Sequence, residues 1–333
     1  MKLHDIAVVG ASGLVGRKIL QVLEERNFPA GKIVAVASEA SHGKEIAVGK
    51  RTYKLQKMTH DTFKNLEFAF FSAGGNVSLE YVPKAVKDGL TVIDNSSAFR
   101  MNDDVPLVVP EVNRADIFKN KGIIANPNCS TIQLVMVLKP LDDRFKLKRV
   151  VVSTYQSVTG AGNKGVMQLE KELHKAEGVH TKSVFPHPIA YNALPQIDIF
   201  FDNGYTKEEL KVIDETKKIL GRKDLKVTST CVRVPTIGGH SESVNLEFEN
   251  KFSLHEIREI LSNTKGVKVI DEPKESKYPM PIDSYDRDEV FVGRIRKDDT
   301  VKYGLNLWIV SDSVRKGAAT NAVQIAEELL KGK

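Results

Sequence analysis

The sequence is poor in cysteine, in aromatic residues and in long apolar runs. Its 333 residues include only Cys129 and Cys231 as cysteines, one tryptophan and 7% aromatic residues. Two cysteines cannot build a disulfide framework, and the 8 histidines show neither the HxxxH nor the HExxH spacing of metal sites. No apolar run approaches the roughly 20 residues that a membrane helix requires. We therefore expect no metal and no membrane association.

Composition places the chain among ordinary globular proteins. Hydrophobic residues make up 41% and charged residues 28%, and the length exceeds what one core usually supports, so two domains are expected. The net charge of +6 arises from 49 basic and 43 acidic residues that are interspersed, without a basic run, so no nucleic-acid partner is expected. The start of the chain leads directly into the apolar segment 6–9, which leaves no room for a signal peptide and predicts a cytoplasmic location.

A glycine-rich turn near the start predicts nucleotide binding. An apolar strand, Ile6 to Val9, precedes the turn GASGLVG at 10–16, and helical spacing follows from Arg17 to Glu25. Glycines let the backbone approach a pyrophosphate, which the amides at the next helix N-terminus stabilise. The spacing is GxxGxxG rather than GxGxxG. The residues predicted to bind cofactor in this turn are Gly10, Ser12, Gly13, Leu14 and Val15.

The segments that follow predict a Rossmann-like, doubly wound parallel sheet. A second strand, Ile33 to Ala37, ends in Ser38, Ala40 and Ser41, where a dinucleotide fold reads the adenosine ribose. Further strands are predicted at Phe68 to Ser72 and Thr91 to Asp94, with helical residues between them. Alternation of strands and helices is typical of an α/β fold with its ligand at the carboxyl ends of the strands.

The sequence pattern changes near Pro127. Mixed strands and charged helices follow, and they predict a second, α+β domain. We assign residues 1–126 to a dinucleotide-binding domain and residues 127–316 to a catalytic and dimerisation domain. The last apolar-periodic segment, within 317–333, is predicted to be a helix that returns to the first domain.

The motif NPNCST at 126–131 places Cys129 just before a helical run, Ile132 to Leu141. A buried, inert cysteine is the ordinary interpretation. At a helix N-terminus, however, unpaired amides and the helix dipole favour a thiolate, which is a nucleophile. Asn126 and Asn128 can supply amide donors beside it. A nucleophile in a nicotinamide enzyme indicates acyl chemistry with hydride transfer at the same carbon.

Such chemistry also requires an acid/base group. His240 is the best placed histidine, because it follows the strand that carries Arg233 and the flexible pair Gly238 and Gly239. His187 lies between two prolines, which suggests a rigid structural segment.

Several motifs in one order resemble the aspartate-semialdehyde dehydrogenase family over essentially the whole chain. They are GASGLVG, NPNCST, STYQSVTGAG, IDETKKIL, CVRVPTIGGHSES and GAATNAVQIAEEL. The resemblance implies reversible, NADPH-dependent reduction of L-aspartyl 4-phosphate to L-aspartate 4-semialdehyde and phosphate, in the biosynthesis of lysine, threonine and methionine. It also implies a homodimer or homotetramer built on the second domain.

The same resemblance implies roles for individual residues. Cys129 matches the nucleophile that forms a thioacyl enzyme, His240 matches the acid/base group and Gln156 matches a residue that holds the substrate. The residues implied to bind the substrate and its phosphate are Arg100, Asn128, Glu215, Lys218 and Arg233. Further cofactor contacts are implied at Thr159, Gly160 and Asn321. Without the resemblance, Gln156 and Arg233 would be taken for surface residues paired to neighbours, and Asn321 for a solvent-facing helix residue.

One departure from the family concerns the cofactor. Family members commonly carry Ser-x-Arg-Ser after the second strand, whereas this chain has Ser38-Glu39-Ala40-Ser41. The arginine that would grip a 2′-phosphate is absent, although Ser38, Ser41 and Lys44 are still able to bind that phosphate. Glu39 is able to accept hydrogen bonds from a free ribose instead. NADP is the expected cofactor, with NAD as the alternative.

Two other functions are compatible with parts of this pattern. N-acetyl-gamma-glutamyl-phosphate reductase also joins a dinucleotide domain to a cysteine and a histidine, although an acetylated amine needs no carboxylate such as Glu215. A non-catalytic NADP-binding homologue is the other alternative. The joint presence of Cys129, Gln156, Arg233 and His240 argues against it.

Overall fold

A computed structural model describes residues 2–59, 61–174 and 184–332. The chain divides into two compact units, one formed by the residues up to Asn128 together with those from Ala318 onward, the other by Cys129–Gly317.

A six-stranded parallel sheet forms the centre of the first unit, in the order β5-β2-β1-β6-β7-β8. The strands of the unit are β1 (His4–Val9), β2 (Ala30–Ala37), β3 (Glu45–Val48), β4 (Arg51–Lys54), β5 (Gln56–Lys57), β6 (Phe68–Phe71), β7 (Thr91–Asp94) and β8 (Ile123–Ala125). Its helices before the second unit are α1 (Leu14–Glu25), α2 (Gly75–Lys87) and α3 (Pro110–Asn113). Strands β3 and β4 form a separate antiparallel hairpin.

The central strands β1 and β6 of this sheet each contain a run of four buried apolar residues. All four residues of β6 are buried, and so are Ile6 to Val9 of β1, as expected for parallel strands covered on both faces. Helix α1 buries Ile19, Leu20 and Leu23 at the predicted helical spacing. The sequence therefore encodes this sheet through continuous apolar runs, and the Rossmann-like prediction is confirmed.

A mixed six-stranded sheet forms the centre of the second unit, in the order β10-β9-β11-β14-β13-β12. Its strands are β9 (Leu147–Gln156), β10 (Lys226–Arg233), β11 (Gly239–Phe248), β12 (Val267–Val269), β13 (Val290–Asp298) and β14 (Gly304–Asp312). Its helices are α4 (Cys129–Phe145), α5 (Gly162–Leu173), α6 (Lys207–Leu220), α7 (Leu254–Ser262) and α8 (Pro281–Ser284). This sheet contains both parallel and antiparallel strand pairs and is accompanied by helices, so the predicted α+β class is confirmed.

Alternation along the strands gives the mixed sheet one buried and one partly exposed face. In β9, Val150, Val152 and Thr154 are buried, whereas Val151 and Ser153 between them are only partly buried. Helix α4 is buried along most of its length and contacts β9, β11 and β14. The face of the sheet that contacts α4 is therefore the buried one. Polar residues on this face, such as Thr154, lie in the interior.

The last helix, α9 (Thr320–Lys331), contacts α1, α3 and β7 of the first unit. Ala322, Val323 and Ala326 join the same apolar cluster as Ile19 and Leu20. The helix starts one residue later than Ala319, where the apolar period begins, because a π-helical turn occupies Arg315–Ala319.

Candidate active site

Cys129 is the first residue of α4 and is partly buried. A thiolate at Cys129 would interact favourably with the charge of Arg233, which lies on β10 of the same unit. Gly317 runs beside it, so close that an added Cβ would lie 3.0 Å from the Cβ of Cys129. The other cysteine, Cys231, is fully buried, and burial raises the pKa of its thiol to about 12. Cys129 is therefore the cysteine suited to nucleophilic attack.

His240 is completely buried near the start of β11. The backbone N–H of Ser157 donates to its Nδ1 at 3.1 Å, so Nδ1 must be the lone-pair nitrogen and the proton of the neutral ring lies on Nε2. Burial, followed by the nearby charge of Arg233, lowers the pKa of His240 to about 3. Nε2 has no hydrogen-bond partner among the described residues. A neutral N–H donor is thus held ready for an oxygen that the described residues do not supply.

Arg233 is a buried cation that has no carboxylate of the described residues within ion-pair distance. It is 6% exposed, its Nη1 donates to the backbone oxygen of Ser157 at 2.7 Å, and its guanidinium lies 5.9 Å from the ring centroid of Phe185. Burial lowers its pKa, which the charge of Glu208 partly opposes. A buried charge without a counter-ion is costly. An anionic ligand would relieve that cost, and the interpretation of Arg233 as a surface residue is wrong.

Sheet register explains how these residues come together. Arg233 at the end of β10 pairs with Gln156 at the end of β9, and Tyr155 pairs with Ser241 of β11, one residue beyond His240. Arg233, Gln156 and His240 therefore share one end of the sheet. Gly160 lies against them, because an added Cβ would sit 2.8 Å from Nη1 of Arg233 and 3.2 Å from Nε2 of His240.

Gln156 is buried, contrary to a surface interpretation, and links the site to α6. Its Nε2 donates to Oε1 of Glu208 at 3.2 Å and to Thr154 at 3.3 Å. Glu208 in turn bonds Lys211 at 3.1 Å. This leaves the side-chain oxygen of Gln156 to accept from a ligand.

Helix α6 also carries Glu215 and Lys218, which are three residues apart. Glu215 is 1% exposed and Lys218 is partly buried. A capping box of Thr206 and Glu209 begins the helix, and Gly221, with φ 66°, ends it in the left-handed conformation. The helix is therefore fixed at both ends. A buried Glu215 does not fit the alternative of a solvent-exposed ion pair for this pair of residues.

The remaining predicted substrate residues lie in the first unit. Arg100 is 7% exposed and donates to the backbone oxygen of Asn95 at 2.8 Å, and Asn128 is 6% exposed. Asn321 of α9 is fully buried rather than solvent-facing, and its amide donates to Val108 and to Asn126. Asn321 therefore fixes the start of the segment that leads to Asn128.

The glycine-rich turn of the first unit fits a dinucleotide. Gly10, with φ 88°, allows the turn to approach β6, because an added Cβ would lie 2.4 Å from the backbone oxygen of Ser72. A Cβ added at Gly16 would likewise lie 2.1 Å from the backbone oxygen of Gly10. Helix α1 starts after Gly13 without a side-chain cap. Its first amides, at Leu14 and Val15, are thus directed at the place where a pyrophosphate would bind.

At the carboxyl end of β2, Ser38 precedes a short 3-10 turn, Glu39–Ser41, which includes Ala40. Glu39 is exposed and its carboxylate lies 3.3 Å from Nζ of Lys57. Thr159 and Gly160, the other predicted cofactor contacts, lie in the second unit, where Thr159 bonds the backbone oxygen of Gly238 at 3.1 Å.

Sequence reasoning missed the residues that act through others. Ser157 holds both His240 and Arg233, Glu208 holds Gln156, and Gly317 makes room for Cys129. To identify Ser157, one would need to know that β9 pairs with β10 and β11. Local sequence pattern does not reveal strand order. The described residues contain no cluster of three metal-binding side chains and no helix long and apolar enough to span a membrane.

A dinucleotide turn in one unit, and a partly buried cysteine with a buried histidine and a buried arginine in the other, are features of a semialdehyde dehydrogenase. Residues 5–120 match the family described as semialdehyde dehydrogenase, NAD binding domain. Residues 138–316 match semialdehyde dehydrogenase, dimerisation domain. The two matches cover most of the chain, and the predicted nicotinamide cofactor is confirmed as NAD(P).

Individual relatives narrow the family further. The aspartate-semialdehyde dehydrogenase of Aquifex aeolicus is 55% identical over 98% of both chains. The crystal structure of aspartate semialdehyde dehydrogenase II complexed with ASA from Vibrio cholerae is 43% identical over 99% of both chains, with a TM-score of 0.95. A structure of the Candida albicans enzyme with NADP is 25% identical over 99% of both chains, with a TM-score of 0.74. The chain belongs to the aspartate-semialdehyde dehydrogenase family, which makes it an oxidoreductase of amino-acid biosynthesis.

Proposed function

We propose that the chain catalyses the reversible reduction of L-aspartyl 4-phosphate to L-aspartate 4-semialdehyde and phosphate with NADPH. Catalysis and dimerisation are assigned to the second unit and dinucleotide binding to the first. The observation that carries the proposal is the buried group around Cys129, in which Arg233 has no carboxylate partner and Nε2 of His240 has no acceptor among the described residues. An amino-acid acyl phosphate has both a carboxylate that can pair with Arg233 and an acyl oxygen that can accept from Nε2 of His240.

Cys129 is the proposed nucleophile. Its thiolate attacks the acyl carbon of the phosphorylated substrate, the bond to the phosphate oxygen breaks, and a thioester forms on the cysteine. The helix terminus and the nearby charge of Arg233 favour the thiolate form. When bound, the cofactor supplies a hydride to carbonyl carbons. Release of the aldehyde restores the thiolate.

His240 is proposed to stabilise the oxygen of the tetrahedral species by donating a hydrogen bond from Nε2. With Nδ1 engaged by Ser157, the ring presents Nε2–H, which donates to a developing oxyanion without first becoming charged. In the reverse direction the same Nε2–H donates to the oxyanion that forms when the thiolate attacks the aldehyde, and collapse of that oxyanion to the thioester needs no proton acceptor.

The substrate's other groups have proposed partners of matching charge. The planar fork of Arg233 suits the α-carboxylate, and Gln156 and Glu215 suit the α-amine. Arg100 and Lys218 are proposed to bind the phosphate, with Asn128 as an amide donor near the cysteine. Glu215 argues against an acetylated amine, because an amide needs no carboxylate partner whereas a free ammonium does.

NADP is proposed as the preferred cofactor. Binding of NADP by the Candida albicans relative supports this choice. The contacts are assigned to the turn residues Gly10, Ser12, Gly13, Leu14 and Val15, to Ser38, Ala40 and Ser41, and to Thr159, Gly160 and Asn321.

A homodimer is proposed, with a homotetramer as the larger alternative. The uncovered face of the mixed sheet carries Tyr155, 38% exposed, in ring contact with Trp308 at 5.6 Å between centroids. Large exposed aromatics on a sheet face mark interaction surfaces. A match to a dimerisation domain over residues 138–316 supports dimerisation through the second unit. A cytoplasmic location is proposed because the cytosol keeps cysteine thiols reduced, which suits a cysteine nucleophile.

The direct test is the reverse reaction, followed by the appearance of reduced cofactor. Purified protein is mixed with L-aspartate 4-semialdehyde, phosphate and NADP. Turnover that requires all three supports the proposal, and arsenate should replace phosphate because it also cleaves a thioester. Turnover with N-acetyl-L-glutamate 5-semialdehyde instead would establish the alternative reductase, and binding of NADP without any turnover would contradict catalysis.

A further inference from the structure

We propose that Lys57 recognises the 2′-phosphate of NADP in this chain and that Glu39 competes with the phosphate for it. The inference rests on the proposed function, in which NADP is the cofactor. It answers a chemical need, because the 2′-phosphate is dianionic and the arginine that family members place after β2 is absent here. A cation from another part of the first unit can take the place of that arginine.

The sheet brings that cation from an edge strand. Strand β5 pairs in parallel with the end of β2, and Lys57 lies directly beside Ala37. Ala37 is the last residue of β2 and is followed by Ser38, where a dinucleotide fold reads the adenosine ribose. Lys57 is about twenty residues further along the chain, so no local motif links it to this position.

The loop that holds Glu39 is tied to β5. The backbone N–H of Lys57 donates to Nδ1 of His42 at 3.1 Å, Gly43 N–H donates to the oxygen of Leu55 at 2.9 Å, and Leu55 N–H donates to Lys44 at 2.8 Å. These three bonds fix the backbone of Lys57 relative to the ribose-reading segment. The lysine side chain therefore projects from a defined base rather than from a free loop.

Glu39 and Lys57 form an ion pair that is easily exchanged. Nζ of Lys57 lies 3.3 Å from Oε1 of Glu39, and the two side chains are 47% and 74% exposed. Exposed pairs of this kind contribute little free energy. A phosphate dianion offers Lys57 a stronger partner than one exposed carboxylate does, and it repels Glu39.

The pair would contribute to the choice between NADP and NAD by adopting one of two arrangements. With a 2′-phosphate, Lys57 turns from Glu39 to the phosphate. With a free ribose, the pair stays intact and Glu39 is available to the 2′-hydroxyl. Selection for NADP over NAD should then be modest and should weaken as salt rises, because both partners are exposed.

The test measures binding of adenosine 2′,5′-bisphosphate and of 5′-AMP by isothermal titration calorimetry, at two salt concentrations. Lys57→Met should weaken the bisphosphate about tenfold, which is about 1.4 kcal/mol, and should leave 5′-AMP within about twofold. Glu39→Gln should tighten the bisphosphate several-fold, because it removes both the competitor and the repulsion. Lys54→Met, at an exposed lysine on the hairpin strand β4, is the matched control and should change neither.

An unchanged affinity of the Lys57→Met protein for the bisphosphate would overturn the inference. An equal loss of 5′-AMP would overturn it as well, because the lysine would then act on the shared 5′-phosphate or on the fold. The proposed function fails separately, if the wild-type chain shows no phosphate-dependent turnover with either cofactor. Turnover with NADP together with an indifferent Lys57→Met protein would reject the lysine alone.

Discussion

The backbone N–H of Ser157 donates to Nδ1 of His240, at 3.1 Å, inside the mixed-sheet unit. The backbone oxygen of the same serine accepts from Nη1 of Arg233 at 2.7 Å. One residue at the end of β9 thus orients both the proposed hydrogen-bond donor and the proposed carboxylate partner. Because a backbone N–H can only donate, the bond also opposes protonation of the ring at Nδ1. The lowered pKa of His240 agrees with that direction.

We expect His240 to leave no inflection in the pH profile of kcat/KM between pH 5 and 8. Its pKa is lowered from the ordinary 6.5 to about 3, so the ring stays neutral throughout that range. His240→Gln should lower kcat by roughly 10²-fold or more, the scale for loss of an oxyanion donor. Comparison of the two pH profiles checks the assignment. An inflection near pH 6.5 that disappears in the variant would show that His240 titrates freely.

Cys129→Ser should fold normally and lose nearly all turnover. The hydroxyl of serine is a far weaker nucleophile than a thiolate at neutral pH. Cys231→Ala is the matched control, since the raised pKa of this buried thiol excludes it from nucleophilic chemistry. It should keep most of the activity and lose some stability. Mass spectrometry after mixing with semialdehyde, phosphate-free buffer and NADP should find the acyl adduct on the peptide with Cys129 only. Near-native turnover by the serine variant would refute the mechanism.

Arg233→Lys should raise KM for the semialdehyde while leaving kcat less affected. The ammonium keeps the charge but loses the planar fork that binds a carboxylate through two bonds. Steady-state kinetics measure the split between the two constants. An unchanged KM would show that Arg233 faces another group.

Arg233→Met separates binding from folding. The cation is buried without a carboxylate partner among the described residues, so its removal should maintain or raise the melting temperature while abolishing substrate binding. A large fall in melting temperature would indicate that Arg233 is chiefly structural.

Much of the fold was readable from local pattern. The apolar runs of β1 and β6 and the spacing of Ile19, Leu20 and Leu23 predict the parallel sheet and its helix, because continuous and 3.6-residue periodicities are local properties. The short edge strand β5 was not predicted, since two residues carry no period. Lys57 was missed for the same reason.

The site was predicted unevenly. The family motifs indicated Cys129, Gln156, Arg233 and His240, and the structure places the last three at one end of one sheet. Local pattern alone would have assigned Gln156 and Arg233 to the surface. Their burial depends on how β9, β10 and β11 pair and on the covering helix α4, which are long-range contacts that no short motif encodes.

Glu242→Gln should stabilise the protein, and more so as pH rises. Glu242 follows His240 by two residues on β11 and is fully buried, and neither of its carboxyl oxygens has a hydrogen-bond partner among the described residues. Burial raises the pKa of Glu242 well above its ordinary value, and nearby Gln133 offsets only part of that shift. Above the unfolded pKa of about 4.3, the folded chain therefore binds a proton that the unfolded chain has released.

Linkage then fixes the sign of the effect on stability. Where the folded state binds more protons, the free energy of unfolding falls as pH rises, until the pH passes the folded pKa. Glutamine has nearly the same shape and no proton to lose, so the advantage of Glu242→Gln over wild type should be small near pH 4.5 and should grow towards pH 8. Chemical denaturation at pH 4.5, 6 and 8 measures it. Glu247→Gln, on the same strand but in a surface pair with Lys148, is the control and should change stability by less than about 1 kcal/mol. An advantage for Glu242→Gln that is the same at all three values would show that Glu242 does not hold its proton in the folded chain.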